Sequence, residues 1–317
     1  MAYRRGICRF FACLAAAWLV LLTGCEDSGP QPGKVEKVWG KRGTANGRFN
    51  KPRAITIDSH DNLYIVDMTA RIQVFDRKGT YLRSWQTPAS INGRPTGVSI
   101  DRQGRVMVAD THYFRVLFYT PEGKLLEEMT IGGTSGPGPG EFNFVTDVVQ
   151  DSQGNYYIAE YGEYDRIQKF SSERKFLYQW GSHGSEPGQF MRPQGLALDE
   201  HDHLWVADAC NHRIQVFDAT GAEPKLIKQW GRQGNAPGEL NYPYNLWLDG
   251  KGSIYIAEFG NHRVQKFSLD GEPQGTWGRN GAGEGEMYQP WGLVRDSKQR
   301  FHVLDTYNHR VQTFFFD

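Results

Sequence analysis

The chain has 317 residues, and its 36 basic and 36 acidic side chains cancel, a balance that excludes a surface built to hold a polyanion such as nucleic acid. An aromatic content of 13% together with 37 glycines describes many short strands joined by tight turns, which excludes a helical bundle and a disordered chain. Two domains would be usual at this length, but a repeating chain adds core and surface together and is expected to stay one domain.

Residues 1–24 read as an export signal, with a basic start at Arg4 and Arg5 and an apolar run from Phe10 to Leu22 that is too short to span a bilayer. The run closes on Leu22-Thr23-Gly24-Cys25, which resembles the lipobox of bacterial lipoproteins. That resemblance implies lipid on Cys25, a membrane partner through this lipid, and a place in the bacterial cell envelope, facing the periplasm or the surface. Each buried methylene of such a lipid contributes about 0.8 kcal/mol of membrane affinity. Arg4, Arg5 and Arg9 leave with the signal, which holds no acidic residue, so the mature chain carries about −3. Cys8 and Cys13 leave as well; Cys210 is then the one free thiol, no internal disulfide is possible, and the packed core must hold the fold. Residues 25–34, rich in Ser, Gly, Pro and Gln, form a flexible tether.

From residue 35 onward the chain is one unit repeated. Asn-His-Arg, then Ile or Val, Gln, any residue and Phe, occurs at Asn211 to Phe217, Asn261 to Phe267 and Asn308 to Phe314. Degenerate copies end in Arg71 to Phe75, Arg115 to Tyr119 and Arg166 to Phe170, making six. Within the fourth copy the spacing predicts strands over 193–199, 204–208, 214–217 and 226–230, separated by turns, which is a four-stranded antiparallel propeller blade. Trp39, Trp85, Met129, Trp180, Trp230 and Trp277 are expected to end the fourth strands. An acid closes each second strand: Asp67, Asp110, Glu160, Asp208, Glu258 and Asp305. The sixth copy lacks a fourth strand, whereas Val35 to Trp39 is a fourth strand with no blade before it. Residues 35–40 are therefore expected to complete the last blade and close the ring, removing a free sheet edge that would otherwise invite aggregation. The predicted fold is all-β, a six-bladed β-propeller of four-stranded antiparallel blades spanning residues 35–317.

These repeats resemble the NHL family of six-bladed propellers, and with the lipobox the chain is similar to bacterial NHL-repeat lipoproteins. The second blade departs most, with Thr111-His112-Tyr113-Phe114 and a shortened loop before it. Similar in repeat pattern are zinc lyases that cleave peptidyl-hydroxyglycine, in which metal histidines follow the Pro that opens the innermost strand. The matching positions here are Arg53, Thr96, Thr146, Gln194, Tyr244 and Trp291, and none is His. RNA binding, known among animal NHL proteins, conflicts with export and with the absence of a basic surplus.

The repeated acid and Arg, such as Asp208 with Arg213, flank one hairpin loop and are expected to fix loops through charge-assisted hydrogen bonds, because one catalytic centre does not need six copies of a residue. The repeated Gln is expected to satisfy backbone groups between blades, and Phe75, Tyr119, Phe170, Phe217, Phe267 and Phe314 to fill the core between them. His212, His262 and His309 lie too far from the ring axis to share a zinc ion at bonds of about 2.0–2.1 Å, and are read as structural. His201 and His203 are placed in a solvated turn on the opposite face.

The copies differ where the innermost strand begins and where the loop after the second strand ends, and both converge on one rim. There the chain presents Arg53, His112, Tyr113, Asp147, Tyr161, Tyr164, Gln194, Tyr244, Asn245, Phe259, Trp291 and Tyr307, a candidate binding face. The expected function is a lipid-anchored binding or scaffold module, monomeric, recognising a protein, peptide or glycan, with no catalytic residue, metal or cofactor. The alternative is a metal-dependent envelope lyase or hydrolase at the central channel, using Asp147, Asn245 and His112.

Overall fold

A computed structural model describes residues 33–316, so the signal segment, Cys25 and all but the last two residues of the tether lie outside the described residues. Six four-stranded sheets follow one another along the chain. Blade 4 runs Pro193–Leu198, His203–Asp208, Arg213–Asp218 and Lys225–Trp230, each strand antiparallel to the last. The two middle strands of every blade are almost wholly buried, while the fourth strand alternates between half-buried and exposed, as a sheet edge with one solvated face must.

The ring closes as the repeat phase requires. Val35–Trp39 pairs antiparallel with Arg310–Phe314, so the last blade is ordered from Val35–Trp39 inward to Leu293–Arg295. Trp39 carries this joint: its indole donates to Thr313 Oγ1 at 3.2 Å, and its ring packs on Phe75 of blade 1 at 4.9 Å. Leu304 and Val311 of blade 6 share one core cluster with Trp39, Phe49, Ile65 and Phe75. The other clusters likewise join neighbouring blades, with Tyr157 and Ala159 meeting Leu204 and Phe217 between blades 3 and 4. Burying these side chains between sheets supplies the stability that no single blade has.

The expected fourth strand of blade 2 is corrected. Met129 ends a short 3-10 turn, Glu127–Met129, and the strand is the two-residue pair Ile131–Gly132. Met129 still fills the position of its tryptophan counterparts in the core between blades 2 and 3, so the side-chain pattern survives while the backbone does not.

Each repeated acid and Arg forms a latch, and its reach is longer than the hairpin. In blade 4 Arg213 Nε donates to Asp208 at 2.8 Å, while its two Nη atoms donate to the carbonyls of Ser185, Glu186 and Gln189 in the Gly-rich connector from blade 3. Gln215 donates to the Gln189 carbonyl and accepts from Gly188 N–H, and Met191 N–H donates to Asp208 at 2.8 Å. The latch thus ties the connector, the hairpin and the third strand. Blade 2 lacks that connector. There the Arg115 side chain hydrogen-bonds only to Asp110, Leu117 stands in place of Gln, and Asp110 Oδ1 is buried with no hydrogen-bond partner.

The three repeat histidines are structural, as expected. His212, His262 and His309 each accept through Nδ1 a backbone N–H from the next blade, at Tyr242, Gln289 and Lys51, over 2.9–3.1 Å. In blade 3 Asp165 accepts the Arg192 N–H in the same way. His203 bonds Asp199 within its turn, and His201 is exposed.

Candidate functional site

The mouth of the central channel is built by one backbone device used repeatedly. The innermost strands of blades 1, 3, 4 and 5 carry a register shift near their start: between Pro52 and Ala54, Val145 and Asp147, Pro193 and Gly195, and Pro243 and Asn245. A bulge re-aims the extra side chain. Here it brings Arg53, Thr146, Gln194 and Tyr244 to the lining of one central pocket, together with Thr96 and Trp291 of the two remaining blades. The pocket they line leaves about 20 Å³, room for about one water molecule.

The next residue along each innermost strand is Ala54, Gly97, Asp147, Gly195, Asn245 or Gly292. At Gly97 an added Cβ would lie 2.3 Å from the Thr146 carbonyl, and at Gly195 2.7 Å from the Tyr244 carbonyl, so glycine lets these strands approach. Asp147 and Asn245 use the space beside the next glycine. Asp147 Oδ2 accepts Leu196 N–H at 2.9 Å while Oδ1 accepts its neighbour Val148; Asn245 Oδ1 accepts Leu293 N–H at 3.1 Å. Burial without a cation pushes the Asp147 acid up to about 7, against these backbone N–H bonds, which lower it.

Most of the predicted rim residues meet around the mouth. Tyr244 stacks on Phe259 at 4.5 Å and meets Trp291 edge-on at 4.8 Å; Phe259 approaches Tyr307 at 6.2 Å. On the other side His112 packs on Phe144 at 5.1 Å, and Phe144 on Tyr161 at 5.3 Å. Tyr113 and Tyr164 do not join this belt but cover the latch arginines of their own blades, Arg115 at 5.3 Å and Arg166 at 4.9 Å. Asp147, Asn245 and His112 do not form a ligand set. The first two are spent on bonds between blades, and among the described residues no three His, Cys, Asp or Glu side chains converge as a metal site.

The structure adds residues that the sequence reading passed over. Lys51, Arg94, Phe144 and Arg192 lie beside the start of the innermost strand, and Lys51 and Arg192 adopt the left-handed backbone conformation. Arg192 lies over Tyr161 at 4.8 Å and Tyr244 at 5.3 Å, Arg53 over Trp291 at 5.3 Å, and Lys51 over Tyr307 at 4.3 Å. The signal was present as a basic residue directly before Pro52, Pro95 and Pro193.

Comparison with known proteins matches part of this repeat pattern. A sequence model of the NHL repeat matches residues 190–217 and 287–314, the ends of the connector to the Phe of the third strand in blades 4 and 6. The chain is 38% identical over 131 residues to peptidylglycine alpha-amidating monooxygenase of Rattus norvegicus, a match covering 39% of this chain and 13% of that protein. It is 29% identical over 187 residues to NHL repeat-containing protein 3 of Mus musculus, covering 53% of this chain and 52% of that one. The matched stretches thus span about half or less of these relatives. Among solved structures, a streptogramin B lyase superposes with a TM-score of 0.60 at 13% identity over 87% of this chain and 96% of that one. Virginiamycin B lyase from Staphylococcus aureus gives 0.59 at 14% identity over 88% and 94%. At such identities the likeness is one of fold. Six blades closed by an N-terminal strand and the two matched copies describe a six-bladed propeller carrying NHL repeats.

Proposed function

We propose that this propeller is a binding module held at a bacterial cell envelope by lipid on Cys25, and that it engages a protein or peptide partner at the mouth of its central channel. One observation carries the reading: the latch charges are matched within the fold, whereas the charges at the mouth are not. Arg53, Arg94, Arg192 and Lys51 make no ion pair among the described residues, and they surround aromatic rings that differ from blade to blade. NHL propellers generally mediate protein interactions, which supports a protein partner over a glycan. The narrow channel supports recognition at the surface.

A photo-crosslinking residue at Tyr161, at the mouth, tests this against the same residue at His201, on the opposite face. Discrete adducts in intact cells from position 161 alone are expected; adducts from position 201 alone would move the site to the other face. Lipid labelling should be lost on Cys25→Ser. The alternative, a metal-dependent lyase or hydrolase, loses support because Asp147 and Asn245 are engaged between blades. Stoichiometric zinc, calcium or iron in the purified protein would restore it.

A further inference from the structure

Unmatched positive charge at the mouth also says what the partner offers, and this inference rests on the binding reading above. Arginines elsewhere in the propeller, among them Arg71, Arg166, Arg263 and Arg310, bond to a carboxylate of the same blade. At the mouth the pattern reverses. The Arg53 guanidinium makes no hydrogen bond among the described residues and rests on Trp291; that of Arg192 bonds through Nε to Gln194 at 3.1 Å and rests on Tyr161 and Tyr244. Tyr244 and Trp291, 4.8 Å apart, bridge the two cations. Arg94 uses Nε and Nη1 on the carbonyls of Met68 and Gly93, and Lys51 stands over Tyr307.

The acids nearby are already committed or turned to solvent. Asp147 accepts two backbone N–H groups, Asp165 is held by His183 and by Arg192 N–H, and Glu163 is exposed. Two guanidiniums partly stripped of water beside rings, with no counter-charge, form charge-assisted hydrogen bonds only when an anion arrives. Burial and the nearness of Arg192 both weaken the hold of Arg53 on its proton, in line with an unmatched cation.

We propose that the mouth binds an acidic segment of the partner protein, with an Asp or Glu carboxylate between Arg53 and Arg192. A carboxylate matches the planar fork of each guanidinium. A nucleic-acid strand fits less well, because phosphate backbones call for a row of cations, and here they gather at one point of a chain whose mature charge is about −3.

The test uses labelled (Gly-Glu)5, its neutral counterpart (Gly-Gln)5 and a ten-nucleotide thymidine strand, titrated with the mature protein and read by fluorescence anisotropy. The acidic peptide should bind roughly ten-fold or more tighter than the neutral one and weaken between about 50 and about 300 mM salt. The pair Arg53→Gln and Arg192→Gln should abolish this difference, and Lys225→Gln on an exposed outer strand should not change it. Arg53→Lys, which keeps the charge without the fork, should retain part of the binding. Equal affinity for the two peptides, indifference to the double substitution in a protein of unchanged melting temperature, or tighter binding of the thymidine strand would each overturn the proposal. Crosslinked adducts from position 161 alongside such a result would remove only the acidic ligand; loss of those adducts as well would remove the binding reading itself.

Discussion

The latches and the mouth lie in the same ring of blades and use the same residue, arginine, to opposite ends. In blade 4 Arg213 is 10% exposed and every donor of its fork has an acceptor. At the mouth Arg53 has none. The difference teaches that the repeated arginines are matched to an acid of their own blade, whereas the arginines of the mouth, where the repeats differ, are not. Blade 2 sharpens the point from within the latches: without the connector, Arg115 rises to 23% exposure and Asp110 keeps an oxygen buried and unpaired.

Breaking a latch should give the largest effect. Asp208→Ala leaves Arg213 buried without its counter-charge and should cost about 3–5 kcal/mol in urea unfolding. Asp110→Ala should cost about 1–2 kcal/mol, since its arginine is better solvated and one orphaned oxygen is removed. Equal losses would mean that the connector contributes nothing to the latch.

The mouth should respond with the opposite sign. The Asp147 acid titrates near 7 in the fold, whereas an unperturbed aspartate titrates near 3.8, so the folded chain holds this proton more tightly. Its contribution is greatest below about 4 and is lost as pH rises to 7. Asp147→Asn, copying Asn245, should remove that slope and stabilise the protein at pH 8 by up to about 4 kcal/mol, measured by thermal unfolding across pH.

His262→Ala should cost about 1 kcal/mol at pH 8 through loss of the bond from Gln289 N–H. Burial lowers the proton affinity of His212, His262 and His309, so their contribution is present above the ordinary value of 6.5 and is lost as pH falls below it. The variant should flatten that acid limb in part. The smallest effect belongs to Arg53→Gln, with a stability change within about 0.5 kcal/mol; a larger loss would show Arg53 to be part of the framework.

The architecture was legible because six copies share one phase, and the mismatch between Val35 to Trp39 and the last copy located the closing strand. Met129 misled because side-chain periodicity marks what faces the core, not whether the backbone there is extended. The full latch was hidden for a related reason: Arg213 reaches carbonyls 24 to 28 residues earlier, and carbonyls leave no trace in residue type. Much of the mouth was visible as difference between copies. The cations before Pro52, Pro95 and Pro193 were missed because a residue before proline reads as a turn, and only the bulge and the left-handed backbone bring Arg192 over Tyr244.

Trp39 and Thr313 bond across 274 positions of chain. A contact of that separation carries a high loop-closure entropy and belongs among the last events of folding. During synthesis the first strand therefore waits, its Trp39 without a core to enter, until the final blade has formed. A helper that shields Val35–Trp39 in that interval should raise the yield of folded protein more than one acting on any later segment.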